Sequence, residues 1–192
     1  MNRTKAMVHS AMASALGAVL SLIAIPIMPQ GGSICLGAFV PVWVIAFRYG
    51  VRQGVFCGAV LGAINFIQKP IVVHPFQPVL DYLIAFGCLG LAALFLKKTQ
   101  QKMVKDNSII KRDESDRFRM VSGAVFSGFL QILCYIASGA LFFSSTLGAT
   151  NTLSAFYLSA VYNLSFGVPN LIVAVFILLG IHLKNPTLFD RR

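Results

Sequence analysis

Long apolar stretches separated by short polar ones dominate the chain, and their lengths are those of membrane spans. A transmembrane helix needs ~20 mostly apolar residues, and residues 6–25, 78–96, 120–143 and 153–183 each supply a run of that order. Two shorter apolar runs, 30–47 and 53–67, are parted by the basic segment Arg48-Tyr49-Gly50-Val51-Arg52. The pattern predicts these as two further spans, short or tilted, with a bend at Pro41. A re-entrant hairpin is the other arrangement that this spacing allows. Residues 97–119 form the one long polar stretch, a charged linker with four spans before it and two after. The expectation is an all-α, six-transmembrane-helix integral membrane protein, with residues 1–192 forming a single membrane domain in the lipid bilayer.

Composition supports that class. Hydrophobic residues make up 57% and charged ones 11%, whereas soluble domains carry about 45–50% and 25%. Such hydrophobicity also excludes disorder. Net charge is +10, which in a soluble protein would suggest nucleic acid. Its distribution says otherwise. With the N-terminus inside, every basic residue except Lys69 falls in a cytoplasmic segment, as the positive-inside rule requires. Both termini are therefore expected in the cytoplasm of a bacterial cell, and no nucleic-acid partner is expected. The first apolar run leads into Pro26-Ile27-Met28-Pro29 rather than a small-residue cleavage site, so it reads as a retained span.

Little in the chain suits catalysis, and one residue suits binding. No GxxxxGK[ST], HExxH or GxSxG is present, and His9, His74 and His182 lie in three different regions. Cys35, Cys57, Cys88 and Cys134 stand singly in apolar runs and read as small buried hydrophobes. Neither an enzyme, a cofactor nor a metal is expected. Asp106, Asp113, Glu114, Asp116 and Asp190 fall in the linker or tail, but Asp81 lies one turn into the fourth span. A carboxylate at a span's centre costs ~2.5–3.5 kcal/mol, less near an interface. Asp81 is thus a counter-charge for a cationic ligand, a proton site, or an interfacial acid reaching water.

At the same outer level the chain gathers Gln68, His74, Phe76, Gln77, Tyr82, Phe142, Phe143, Tyr157, Tyr162 and Asn163. An aromatic belt explains part of this set, but an amide such as Asn163 within a span needs a partner. A carboxylate, ring faces and an amide suit a flat, cationic, hydrogen-bonding molecule. Small residues mark two spans, in Ala11-Met12-Ala13-Ser14-Ala15-Leu16-Gly17 and at Gly54, Gly58 and Gly62. Such stripes serve close packing within the chain or docking of another membrane subunit.

Gln30-Gly31-Gly32-Ser33-Ile34-Cys35-Leu36, Ala46-Phe47-Arg48-Tyr49-Gly50 and the block from His74 to Phe86 resemble thiamine-specific substrate-binding subunits (S components, ThiT type) of energy-coupling factor transporters. Ser138-Gly139 through Phe143, Tyr162-Asn163 and Pro169 continue the likeness. The resemblance implies a six-helix protein that captures thiamine or a related small vitamin and delivers it to a transmembrane coupling protein with two ATPase subunits. It puts the pocket acid at Asp81, its neighbouring tyrosine at Tyr82, the pocket asparagine at Asn163 and the stacking aromatic at Phe143. Tyr135 stands where the family tends to have histidine, Trp43 is the sole tryptophan, and Leu158-Ser159 replaces the family's Tyr-Ser. Tyr135 and Gln77 join the substrate-binding set, and Ala11 and Ala15 match the face that docks on the coupling protein. The glycines of loop 29–33 suit closure over the entrance. A self-sufficient proton-coupled carrier of a small cationic nutrient is the alternative.

Overall fold

The computed structural model describes residues 3–28, 32–96 and 114–189. Residues 29–31 of the expected entrance loop and 97–113 of the expected linker lie outside the described residues. Among the described residues six helices follow one another: α1 (Arg3–Leu22), α2 (Val40–Tyr49), α3 (Val51–Gln68), α4 (Val79–Phe95), α5 (Glu114–Phe142) and α6 (Thr152–Lys184). A small antiparallel hairpin, β1 (Ala24–Pro26) and β2 (Ser33–Cys35), is inserted between α1 and α2 and pairs Ile25 with Ile34. A final 3₁₀ turn covers Pro186–Phe189. Three stretches, Arg3–Leu22, Arg117–Phe142 and Thr152–Lys184, are helices long and apolar enough to cross a membrane.

Polarity is arranged for lipid. Phe118, Phe176, Leu141 and Leu153 are exposed, whereas Ser10, Ser14, Ser127, Gln131 and Ser159 are buried. Without water around the bundle, each buried polar group must find its partner inside. Ser14 Oγ donates to Cys57 O at 2.9 Å, tying α1 to α3. Trp43 Nε1 donates to Ser127 Oγ at 3.0 Å, tying α2 to α5. Trp43, Phe47, Leu61, Leu89 and Leu178 form the centre.

Helix α3 packs against α1, α2 and α4, while α5 pairs with α4 and α6. The α3–α4 contact depends on glycine. Gly58 and Gly62 lie against the carbonyls of Phe86 and Tyr82 with no space for a Cβ, and Gly54 faces Gly90. Cys88 and Cys134, expected to stand singly, meet across α4 and α5 with 3.9 Å between their sulfurs.

The expected second span at 30–47 is helical only from Val40, over 10 residues. That length rises about 15 Å, half of a ~30 Å hydrocarbon core. Strand β2 and the turn after it supply the rest as non-helical backbone, which a membrane tolerates where it lines a cavity inside the protein. Pro41 sits in the first turn of α2 and starts that helix rather than bending it, because no helical bond is lost there. Arg48 lies in the last turn of α2 and Arg52 in the first turn of α3, and between Tyr49 and Val51 only Gly50, at φ 90°, connects the two helices. Helix α1 stops at Leu22 rather than residue 25. Ile23 and Ile25 favour extended backbone, and Pro26 cannot donate to a helix.

Helix α4 changes its winding along its length. Val79–Ile84 is a π-helix, Ala85–Cys88 is α and Leu89–Phe95 is 3₁₀. The wide π turn carries Asp81, a conformation often found at functional sites. Helix α6 opens on Asn151, whose side chain accepts from Ser154 N at 2.8 Å while Asn151 N donates to Ser154 Oγ at 3.0 Å. Because successive helices reverse direction, the hairpin and the 69–78 and 143–151 connections gather at one end of the bundle. Arg48, Arg52, Arg117 and Lys184 lie towards the other.

Candidate functional site

A cavity of about 250 Å³ opens at the hairpin end, close to the lower size of ordinary small-molecule pockets. The hairpin contributes Gly32, Ser33 and Cys35, and the turn leading into α2 adds Ala38 and Phe39. From the end of α3 and the residue after it come Asn65, Gln68 and Lys69, and around α4 come Gln77, Asp81, Tyr82 and Phe86. Tyr135, Gly139 and Phe143 form the α5 side, and Tyr162, Asn163, Phe166 and Asn170 form the α6 side. Asp81, Tyr82, Asn163, Phe143, Tyr135 and Gln77, the binding residues expected from sequence, thus all border one cavity. Ala11 and Ala15 lie elsewhere, on the exposed face of α1.

The polar groups of the wall have different amounts of bonding capacity left. Asp81 Oδ2 accepts from Gln77 Nε2 at 2.5 Å. The Tyr82 hydroxyl is committed to the neighbouring connection: it donates to Lys69 O at 3.0 Å and accepts from Ile71 N at 3.3 Å. Its ring, tilted against Phe66 with centroids 5.2 Å apart, remains as wall. Asn163 Nδ2 donates to Ser159 O at 2.9 Å and Tyr135 O at 3.2 Å, which leaves Oδ1 as the group it offers the cavity. Tyr135 OH accepts from Gln131 Nε2 at 3.2 Å, so the phenol proton is available to a ligand acceptor. Among the described lining residues only Asp81 and Lys69 carry charge.

Sequence reasoning passes over Asn65, Phe166 and Asn170. Asn65 Oδ1 is buried at the wall and has no hydrogen-bond partner among the described residues, so it is an acceptor open to a donor. Asn170 closes the hairpin onto α6: Oδ1 accepts from Cys35 N and Nδ2 donates to Ser33 O, both at 2.7 Å. The side chain imitates a neighbouring strand. Tyr162 OH accepts from Gly32 N at 3.3 Å in the same region. An amide inside an apolar helix is the signal that would find Asn65 and Asn170, as it finds Asn163. Phe166 has none, since a phenylalanine in a span is ordinary.

Taken together, the cavity offers one carboxylate, amide and carbonyl acceptors, a phenol donor and the faces of Phe143, Phe166 and Tyr162. No three His, Cys, Asp or Glu side chains converge among the described residues. The arrangement is equipped to hold a planar, donor-rich molecule.

Residues 7–190 match the sequence profile of the family described as "Thiamine transporter protein (Thia_YuaJ)". The thiamine transporter ThiT of Bacillus subtilis (strain 168) is 29% identical over 163 residues, which cover 84% of this chain and 80% of that protein. A solved structure of ThiT from Listeria monocytogenes superposes with a TM-score of 0.81 at 24% identity, covering 99% of this chain and 100% of the other. The likeness to that structure is one of fold.

Proposed function

This chain belongs to the thiamine transporter family, and on that premise we propose that its cavity captures thiamine for import. The carrying observation is Asp81, the one carboxylate among the described lining residues, set among ring faces and amide acceptors in a cavity that gathers the binding residues expected from sequence. Thiamine joins an aminopyrimidine to a cationic thiazolium. Asp81 and Asn163 Oδ1 accept from the two hydrogens of the amine, Tyr135 OH donates to a ring nitrogen of the pyrimidine, and Phe143 and Phe166 stack on the rings. Cation–π contact with a desolvated thiazolium contributes up to about 2 kcal/mol. The isosteric change Asp81→Asn removes the charge with little change of shape. Calorimetric titration is expected to show at least ~100-fold weaker thiamine binding, equivalent to about 2.8 kcal/mol. Unchanged affinity removes Asp81 from the site.

We propose further that the protein is a single membrane unit over residues 1–192, with both termini and the 97–119 linker cytoplasmic and the cavity facing outward. Transport then uses a transmembrane coupling protein and two ATPases, since this sequence carries no phosphate-binding loop of its own. Ala11 and Ala15, on the exposed face of α1 with Met7, Val8, Met12, Leu16 and Val19, support a docking strip for that coupling protein. Uptake of labelled thiamine is expected to stop in cells that lack the ATPases. Uptake that continues without them favours the proton-coupled carrier.

A further inference from the structure

We propose that Gln77 is a positioning residue that keeps Asp81 an oriented, ionised acceptor, and thereby makes the site select an amine over a carbonyl at that place. The inference rests on the thiamine reading above and deepens it. Gln77 sits where the 69–78 connection joins α4 and is 1% exposed. The sense of its amide follows from its partners. Oε1 accepts from the main-chain N–H of Val73 at 3.2 Å, a group that can only donate. Nε2 is therefore the end that meets Asp81, donating to Oδ2 at 2.5 Å. The main-chain N–H of Gln77 also donates to His74 O at 3.1 Å, so backbone and side chain are both tied to the preceding turn.

Behind the carboxylate stands Ser138 on α5, 1% exposed, beside Asp81. Its Oγ has no hydrogen bond of ordinary geometry among the described residues. The carboxylate is thus held through Oδ2 by Gln77, while Oδ1 remains an acceptor for a ligand in the cavity that Asp81 lines. A ligand nitrogen bearing hydrogen forms a charge-assisted bond there. A ligand carbonyl meets an oxygen that can only accept, and two acceptors facing one another form no hydrogen bond. Once Gln77 is gone, the carboxylate loses the bonded donor that favours its ionised form, and a protonated acid can satisfy a carbonyl as well as an amine.

The test compares thiamine with its 4-oxo counterpart, in which a carbonyl oxygen replaces the pyrimidine amine, by calorimetric titration of the full chain in detergent. The wild-type protein is expected to prefer thiamine by about 100-fold or more, since a site built to bond an N–H strongly rejects an analogue lacking it. In Gln77→Met, which removes the donor at similar length, and Gln77→Glu, which keeps the shape, that ratio is expected to fall below about tenfold. General loosening of the cavity would weaken both ligands alike and leave the ratio in place. Variants that bind thiamine with the wild-type ratio overturn the role of Gln77 and leave Asp81 as the ligand's partner. A wild-type protein that binds both ligands equally overturns it as well. A wild-type protein that binds neither overturns this inference together with the thiamine reading.

Discussion

The stripe of glycines on α3 and the pair of alanines on α1 have the same spacing and opposite surroundings. Gly54, Gly58 and Gly62 are buried and bring α3 onto the backbone of α4 around Tyr82, Phe86 and Gly90. Ala11 and Ala15 are exposed, one face away from the buried Ser10, Ser14 and Gly17. Small residues permit two backbones to approach, but they do not say whose backbone arrives. On α3 the partner is within the chain, and the approach fixes the helix that carries Asp81. On α1 nothing within the described residues covers the strip, so its packing is not set by the chain itself.

Placing side chains on the two stripes tests that contrast, with the largest effect on stability expected from the inner one. Gly58→Val drives a branched carbon into the Phe86 carbonyl. A loss beyond about 3 kcal/mol is expected, seen as failure to recover monodisperse protein from detergent extraction. Gly62→Ala meets the carbonyl of Tyr82 and is expected to cost about 1–3 kcal/mol. Because Tyr82 adjoins Asp81, its melting temperature should fall and its thiamine affinity should weaken together. Ser14→Ala removes the 2.9 Å bond to Cys57 O, worth about 1 kcal/mol, and should lower melting without changing affinity. Ala11→Leu and Ala15→Leu should change stability by less than about 0.5 kcal/mol and leave thiamine binding intact, yet abolish uptake in cells with functional ATPases. Normal uptake in these variants removes the docking role from α1.

Different parts of the site were legible to different degrees. Asp81 and Asn163 stand out in sequence because a charge or an amide in an apolar run is costly unless something answers it. Asn65 and Asn170 carry the same signal, but only the folded chain separates their tasks: one holds the hairpin through Ser33 and Cys35, and the other leaves an unpaired acceptor at the wall. Tyr82 shows the limit of inference from residue type. Its place beside Asp81 was expected, whereas the commitment of its hydroxyl to Lys69 and Ile71 depends on how the 69–78 connection folds back.

By itself the amino-acid sequence determined that the chain lives in a bilayer, where its apolar segments lie, and that a single carboxylate interrupts them. Those properties are local, because the transfer energy of a segment is summed over its own residues. Tertiary structure decided that a hairpin replaces half of the second expected span, that α4 opens into a π turn at Asp81, and that one small-residue stripe is inside and the other outside. These depend on contacts between segments far apart in the chain, such as Asn170 with Ser33 and Gly62 with Tyr82. Hydropathy along a segment carries no record of which neighbour will face it.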